Sequence, residues 1–190
     1  PFGMVGAGAG DTDAEVLESA GEHDVTQMEM LRRPSVTLIV QNIHPRSRGR
    51  IELRSSDPHD KPVIRHTLLG DPKDIEILTA ATRLARTIMA SEPIKQYVTV
   101  EALPGAAVNT DQEWAGFFGF AGWGAQHPVG TCKMGNDDLA VVDERLRVRG
   151  VQALRVVDAS VMPVLTSGNT NAPTVMIAEK AADMILEDAR

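Results

Sequence analysis

The chain has 190 residues, of which 43% are apolar and 24% are charged, and these values are ordinary for a globular protein with a hydrophobic core. Its net charge of −7 argues against a nucleic-acid partner, which requires a basic face, and its single cysteine excludes an internal disulfide. No apolar run reaches the ~18 residues of a membrane span and no signal peptide is recognisable, so we expect a soluble protein, cytoplasmic rather than secreted.

Residues 1–34 form a leading segment that we expect to be loop-rich. Its glycine run from Gly3 to Gly10 contains GxGxG spacing. A phosphate-binding glycine loop follows a strand and opens a helix, whereas only Pro1 and Phe2 precede this run. The pattern therefore favours a surface loop over a phosphate site.

Two strands are predicted next. The β-branched run Val36 to Ile43 is typical of a strand, and Arg50 to Arg54 alternates as an antiparallel partner with one wet face. Pro45 to Gly49 forms the turn between them, and its arginines favour a solvated turn over a phosphate site. A further short strand is predicted at Val63 and Ile64.

Two helices follow. Asp71 can serve as the N-cap of the first and Pro72 as its first residue. Apolar residues then recur at helical spacing to about Ala90, which predicts an amphipathic helix that covers the sheet. After a connection, Thr110 can cap a short helix that runs through Phe118.

The stretch Trp114 to Trp123 concentrates both tryptophans and three of the four phenylalanines. Two interpretations remain open. It forms core at a domain junction, or it forms an aromatic wall beside a bound substrate, since binding pockets are largely apolar.

His127 is the candidate base. It precedes Pro128, which favours extended backbone, and Gly130 lets the chain turn closely behind it. An imidazole ordinarily titrates near pH ~6.5, which suits proton transfer at neutral pH, although a lone histidine is more commonly structural. Cys132 is expected to be a small buried residue and not a nucleophile, because no third group orients it towards His127.

The C-terminal region predicts a strand, a polar loop and a helix. Leu154 to Val157 is typical of a buried strand, and Asp158 follows at the end where ligands bind in open α/β sheets, although Asp158 can also simply cap the next turn. Ser167 to Pro173 is the loop, and apolar residues recur at helical spacing from Thr174 to Leu186, with Pro173 suited to the first turn of the helix. Met176 to Leu186 should form the last helix and pack on the strand. A helix N-terminus here would offer free N–H groups to an electron-rich acceptor.

Three motifs carry a family resemblance: HPVGTCKMG from His127, VVDERLRVRGVQALRVVDASVMP from Val141 and SGNTNAPTVMIAEKAADMI from Ser167. In order and spacing they resemble the C-terminal part of the glucose-methanol-choline (GMC) oxidoreductases, which are FAD-dependent alcohol oxidases and dehydrogenases. The similarity also covers HPRSRGRIELRSSDP from His44 and GDPKDIEIL from Gly70, and so most of the chain.

The resemblance implies a reaction and two catalytic residues. His127 would take the hydroxyl proton of a small alcohol while hydride passes to the flavin N5, and Asn169 would hydrogen-bond the substrate oxygen. Asn169 stands where other members have His or Asn. The histidine before Pro128 is therefore interpreted as catalytic.

The resemblance also implies where FAD binds, and it implies no metal. Asp158 and Ala159 would lie against its ribityl and pyrophosphate region, and Asn171 and Ala172 would approach the pyrimidine edge of the flavin.

The sequence departs from the family at two places that bear on the substrate. Arg65 to Leu69 stands where acidic or aromatic residues usually precede the Gly-Asp-Pro, and Gln126 stands where an aromatic residue commonly precedes the catalytic histidine. The resemblance therefore leaves the alcohol open.

The N-terminal dinucleotide-binding motif of the family is not in this sequence, which implies an N-terminal FAD-binding portion supplied in cis or in trans. Two alternatives stay open: a non-catalytic fragment or subunit of a flavoprotein, and a hydroxynitrile lyase-like use of the same site. The predicted fold class is α+β. Residues 35–113 form a substrate-binding part with an antiparallel sheet and covering helix, and residues 114–190 complete an FAD-binding α/β domain.

Overall fold

The computed structural model describes the backbone of residues 2–7 and the whole of residues 34–190. The strands are β1 Phe2–Ala7, β2 Ser35–Val40, β3 Arg50–Glu52, β4 Val63–Arg65 and β5 Val100–Leu103. The α-helices are α1 Pro72–Met89, α2 Asp111–Ala121 and α3 Asn171–Asp188, and short 3₁₀ helices occupy Ile94–Gln96 and Ala159–Val161. Small antiparallel sheets with helices make the described part of the chain α+β, as predicted.

The chain divides into two compact units. The first unit contains the described residues 2–7, 34–42 and 69–124, and the second unit contains residues 43–68 and 125–190. This division differs from the consecutive parts expected at 35–113 and 114–190. Residues 43–68 fold with the C-terminal region, where His44 Nε2 lies 3.0 Å from Ser167 Oγ.

The sheet of the first unit has the order β2-β1-β5, with both pairs antiparallel. The loop prediction is wrong for Phe2–Ala7, which forms the central strand, while residues 8–33 lie outside the described ranges. The physical reason is that two partners distant in sequence supply backbone hydrogen bonds on both sides of β1, and a glycine backbone pairs as well as any other.

The hairpin prediction is also wrong in its pairing. β3 pairs antiparallel with β4 in the second unit, and β2 pairs with β1 in the first. The short strand predicted at Val63 and Ile64 is confirmed as part of β4. Gly49 explains the close approach of these strands, because a Cβ added there would lie only 2.4 Å from the carbonyl oxygen of Arg65.

The two helices of the first unit begin as their capping residues predict. The Asp71 side chain accepts a hydrogen bond from the N–H of Lys73 at 2.8 Å and caps α1. Thr110 and Glu113 form a reciprocal capping box at the start of α2. The core of the unit is made where these helices meet β2, by Leu78, Trp114, Phe118 and Val40. The core interpretation of the aromatic stretch is confirmed for its two buried rings.

α3 builds the core of the second unit, but the strand predicted to support it is absent. Residues 154–157 make a single isolated bridge, between Arg147 and Arg155. Ala153, with φ +56°, turns the chain immediately before residue 154, and Asp158 caps the 3₁₀ helix that follows residue 157. The segment between them is therefore too short for a regular strand. The core consists of residues Val142, Leu146, Val161, Met162, Ile177 and Ala181, against which Val156 and Val157 pack. No helix in the described ranges is long and apolar enough to cross a membrane.

Candidate active site

The segment that carries His127 turns sharply on both sides of the imidazole. Gln126 has φ +61° and Gly130 has φ +90°. The residues that flank the segment 127–129 therefore have left-handed backbone conformations. After the turn, the N–H of Cys132 donates to the carbonyl of Ser160 at 3.0 Å. The histidine segment is therefore fastened beside the short 3₁₀ helix that follows Asp158.

The imidazole of His127 contacts the loop that carries the asparagines. Its Nδ1 lies 2.9 Å from the Oγ1 of Thr170, across 43 positions of sequence. His127 is half-buried, and Thr170 is buried with 8% of its surface exposed. Within the described part of the chain, the other ring nitrogen, Nε2, makes no hydrogen bond. One nitrogen of the ring is thus held by the protein and the other is open to a ligand.

Asn169 directly precedes Thr170 in the chain, but its amide does not take part in the hydrogen bond with His127. Asn169 is exposed, and the hydrogen-bond partner of His127 is the following residue, Thr170. Sequence analysis did not single out Thr170, because a threonine between two asparagines is typical of a turn. Its place directly before a helix whose third residue is Pro173 is the local signal that could have identified it.

The N-terminus of α3 offers free backbone donors. Thr170 occupies the N-cap position without a side-chain cap hydrogen bond. The N–H of Thr174 donates to the carbonyl of Thr170 at 3.0 Å, so the N–H groups of Asn171 and Ala172 have no partner inside the helix and Pro173 has no N–H. Both Asn171 and Ala172 are exposed. This end of α3 therefore presents donors and a partial positive charge to any acceptor that reaches it.

Asp158 has a capping role. Its Oδ1 accepts a hydrogen bond from the N–H of Ser160 at 2.7 Å, at the start of the 3₁₀ helix Ala159–Val161. Its side chain is exposed and Ala159 is half-buried. The positions assigned to Asp158 and Ala159 beside FAD stay predictions.

The lysine of the histidine motif is engaged by a carboxylate outside the candidate site. The Nζ of Lys133 lies 2.7 Å from both carboxylate oxygens of Asp137. This hydrogen bond, with one from the N–H of Leu139, holds the pKa of Asp137 below its usual range. Cys132 is half-buried, not fully buried as expected. Lys133 is therefore committed to a surface ion pair.

The candidate residues form no metal cluster in the described part of the chain, and they do not line the cavity at residues 143–155. Among residues 34–190, no group of three or more His, Cys, Asp or Glu side chains is arranged to hold a metal ion. A cavity of about 650 Å³ opens in the second unit between residues 143–155 and Ile185, and none of the candidate residues lines it. The candidate site is consequently defined by the contact between His127 and Thr170 and by the N-terminus of α3.

Comparisons with known proteins identify the family to which the chain is related. The family model for GMC oxidoreductase matches residues 45–178, which include the histidine segment, Asp158 and the start of α3. An alcohol dehydrogenase [acceptor] from Pseudomonas putida is 45% identical over 150 residues, which are 79% of this chain and 27% of that protein. An oxygen-dependent choline dehydrogenase from Burkholderia lata is 48% identical over 139 residues, which are 73% of this chain and 25% of that protein.

A solved structure shows the same fold. Pyridoxine 4-oxidase from Mesorbium loti is 36% identical, with a TM-score of 0.69 over 74% of this chain and 28% of that one. The class defined by fold and motifs is that of the oxidoreductases. More narrowly, the chain belongs to the GMC oxidoreductase family, of which it contains the C-terminal portion. It spans about a quarter of the length of the curated relatives, 27% and 25%.

Proposed function

We propose that this chain is the C-terminal part of an FAD-dependent oxidoreductase that acts on the CH–OH group of small alcohols. The observation that carries the proposal is the 2.9 Å contact between His127 Nδ1 and Thr170 Oγ1, which joins the histidine motif to the Asn169 loop. The relatives named alcohol dehydrogenase and choline dehydrogenase support the choice of donor.

The residues present fit a flavin. The uncapped end of α3, with the unpaired N–H groups of Asn171 and Ala172, suits a carbonyl acceptor such as that of the flavin pyrimidine ring. Asp158 and Ala159, which belong to the second motif of the family resemblance, would lie towards the ribityl and pyrophosphate part of FAD. FAD, when bound, would supply the acceptor for the carbon-bound hydrogen and its two electrons.

His127 acts as the proton acceptor in this proposal. Its Nε2 makes no hydrogen bond to the described residues, so it is free to take the hydroxyl proton of an alcohol. The exposed amide of Asn169, one residue before Thr170, would donate a hydrogen bond to the same oxygen. Loss of the proton to His127 and of the carbon-bound hydrogen to the cofactor leaves a carbonyl product.

The proposal requires the rest of the family's fold. Because the chain spans about a quarter of its relatives, we propose that an N-terminal FAD-binding portion, in cis or in trans, completes the site. These 190 residues alone should then bind FAD weakly.

The test compares His127→Ala with His59→Ala in the full-length protein that carries this sequence. His59 is an exposed histidine of the second unit and serves as the matched control. His127→Ala should keep the flavin absorbance but slow anaerobic flavin reduction by alcohol ~10² to 10⁴-fold, the usual contribution of a positioned base. His59→Ala should behave as the parent protein.

Other outcomes would contradict the proposal. Reduction at the original rate in His127→Ala would exclude the imidazole as the base. Flavin colour without bleaching by any alcohol would favour a lyase reaction, and a full-length protein without flavin would favour a non-catalytic role.

A further inference from the structure

Thr170 sits at the N-cap of α3 but does not cap the helix. An N-cap threonine usually accepts a hydrogen bond from the N–H of the second or third helical residue. Here the third residue is Pro173, which has no N–H, and the backbone of Thr170 is helical, with φ −80° and ψ −3°, where a cap residue is normally extended. The hydroxyl is therefore released from capping and contacts His127 instead.

The backbone of Thr170 is held in place from the helix side. Its carbonyl accepts two hydrogen bonds from Thr174, one from the N–H at 3.0 Å and one from the Oγ1 at 2.6 Å. At the other end of the loop, Ser167 Oγ lies 3.0 Å from His44 Nε2. Asn169 thus stands between two anchored positions, and the Thr170 hydroxyl presents a fixed partner to the imidazole.

We propose that Thr170 is a positioning residue for His127, a proposal that rests on the function proposed above. A threonine hydroxyl can donate to an imidazole nitrogen or accept from it. A base that takes a proton at Nε2 must carry its own proton on Nδ1, so His127 Nδ1–H donates to Thr170 Oγ1. In this proposal the Thr170 hydroxyl acts as the acceptor, which keeps the proton on Nδ1 and leaves the unprotonated Nε2 facing the substrate.

The chain offers matched variants for a test. Thr170→Val removes the hydroxyl at nearly constant shape, and Thr170→Ser keeps it. Thr174→Val makes the same change one turn further along α3, where the hydroxyl contacts the carbonyl of Thr170 but not the ring. The His127 tautomer of all three variants is measured from ¹⁵N spectra of the full-length, flavin-free protein labelled at histidine. The His127 signals are assigned as those that disappear in His127→Gln.

The parent protein, Thr170→Ser and Thr174→Val should show the His127 tautomer with the proton on Nδ1. Thr170→Val should lose that preference and show mixed tautomers. The proposal is overturned if the parent protein carries its proton mainly on Nε2, or if Thr170→Val leaves the ring signals unchanged. A proton mainly on Nε2 in the parent protein would overturn the proposal even if Thr170→Val does not fold.

A kinetic readout separates this proposal from the function on which it rests. In the flavin-loaded protein, Thr170→Val should lower the rate of flavin reduction about tenfold with little change in KM, as expected for one lost hydrogen bond to a base, and Thr170→Ser should restore it. If the spectra are as expected but the protein oxidises no alcohol, the proposed oxidoreductase function is refuted and the positioning role of Thr170 stands. Unchanged spectra with active oxidation would refute only the role of Thr170.

Discussion

Replacement of Arg86 by methionine should destabilise the first unit far more than the same change at Arg83. Both residues lie on α1 and both form ion pairs of similar length. Arg86 Nη2 lies 2.7 Å from Glu101 Oε1, and Arg83 Nη2 lies 2.9 Å from Asp111 Oδ1. The two pairs differ in exposure, because the side chains are 20% and 19% exposed for Arg86–Glu101 but 51% and 82% for Arg83–Asp111.

The magnitude follows from the partners that Arg86 would leave behind. It also donates to the carbonyls of Gly105 at 2.9 Å and Val108 at 2.5 Å, and its guanidinium lies 4.4 Å from the ring centroid of Trp114. Removal of one partner from a buried ion pair costs ~3 to 5 kcal/mol, and because this pair keeps some exposure we take about 3 kcal/mol. The exposed Arg83 pair should contribute at most about 0.5 kcal/mol.

Urea unfolding followed by tryptophan fluorescence measures the difference, because Trp114 and Trp123 both belong to the first unit. With an m-value of ~2 kcal/mol/M, Arg86→Met should lower the midpoint by about 1.5 M and Arg83→Met by about 0.2 M. Adding Glu101→Gln to Arg86→Met should recover part of the loss, since it removes the orphaned charge. Equal midpoint shifts for the two arginine variants would refute the reasoning.

Two further predictions concern the second unit. A hydrogen bond from Arg155 lowers the pKa of Asp188, so the stability that this carboxylate gives to α3 is present above its unfolded value near 3.8 and is lost as the pH falls through the lower folded value. The protection factors of the α3 amides, corrected for the intrinsic exchange rate at each pH, should fall over that range, but not in Asp188→Asn. Gly49→Ala should destabilise the second unit by about 1 to 3 kcal/mol, because its Cβ would meet the Arg65 carbonyl. Gly168→Ala, in the same unit and with open space around the added Cβ, should not. Protection of the β3 and β4 amides measures the difference.

Much of the helical structure follows from local chemistry. The Asp71-Pro72 pair predicts the start of α1, and observation agrees to the residue. Thr110 predicts α2, although that helix runs three residues beyond the expected end at Phe118, to Ala121. α3 starts at Asn171, so Pro173 lies in its first turn as predicted, and the helix begins inside the asparagine-rich stretch predicted to be a loop.

Strand pairing was the part that the sequence could not predict. The run at β2 reads as half of a hairpin, yet its partner is β1, and β3 pairs with β4. A short strand is compatible with many neighbours, and contacts far away in sequence select among them. The loop prediction for β1 failed for the same reason, whereas the strand predicted at residues 154–157 is prevented locally, by the turn at Ala153 and the cap at Asp158.

By itself, the sequence determined the starts of α1 and α2, the family and the residue types of the candidate site, because caps act within three residues and motifs are read in order. Only the tertiary structure decided which residue meets His127. Thr170 takes that place because Pro173 frees its hydroxyl from capping while the fold brings it within 2.9 Å of the imidazole. Contacts across 43 positions depend on packing, and no local pattern encodes them.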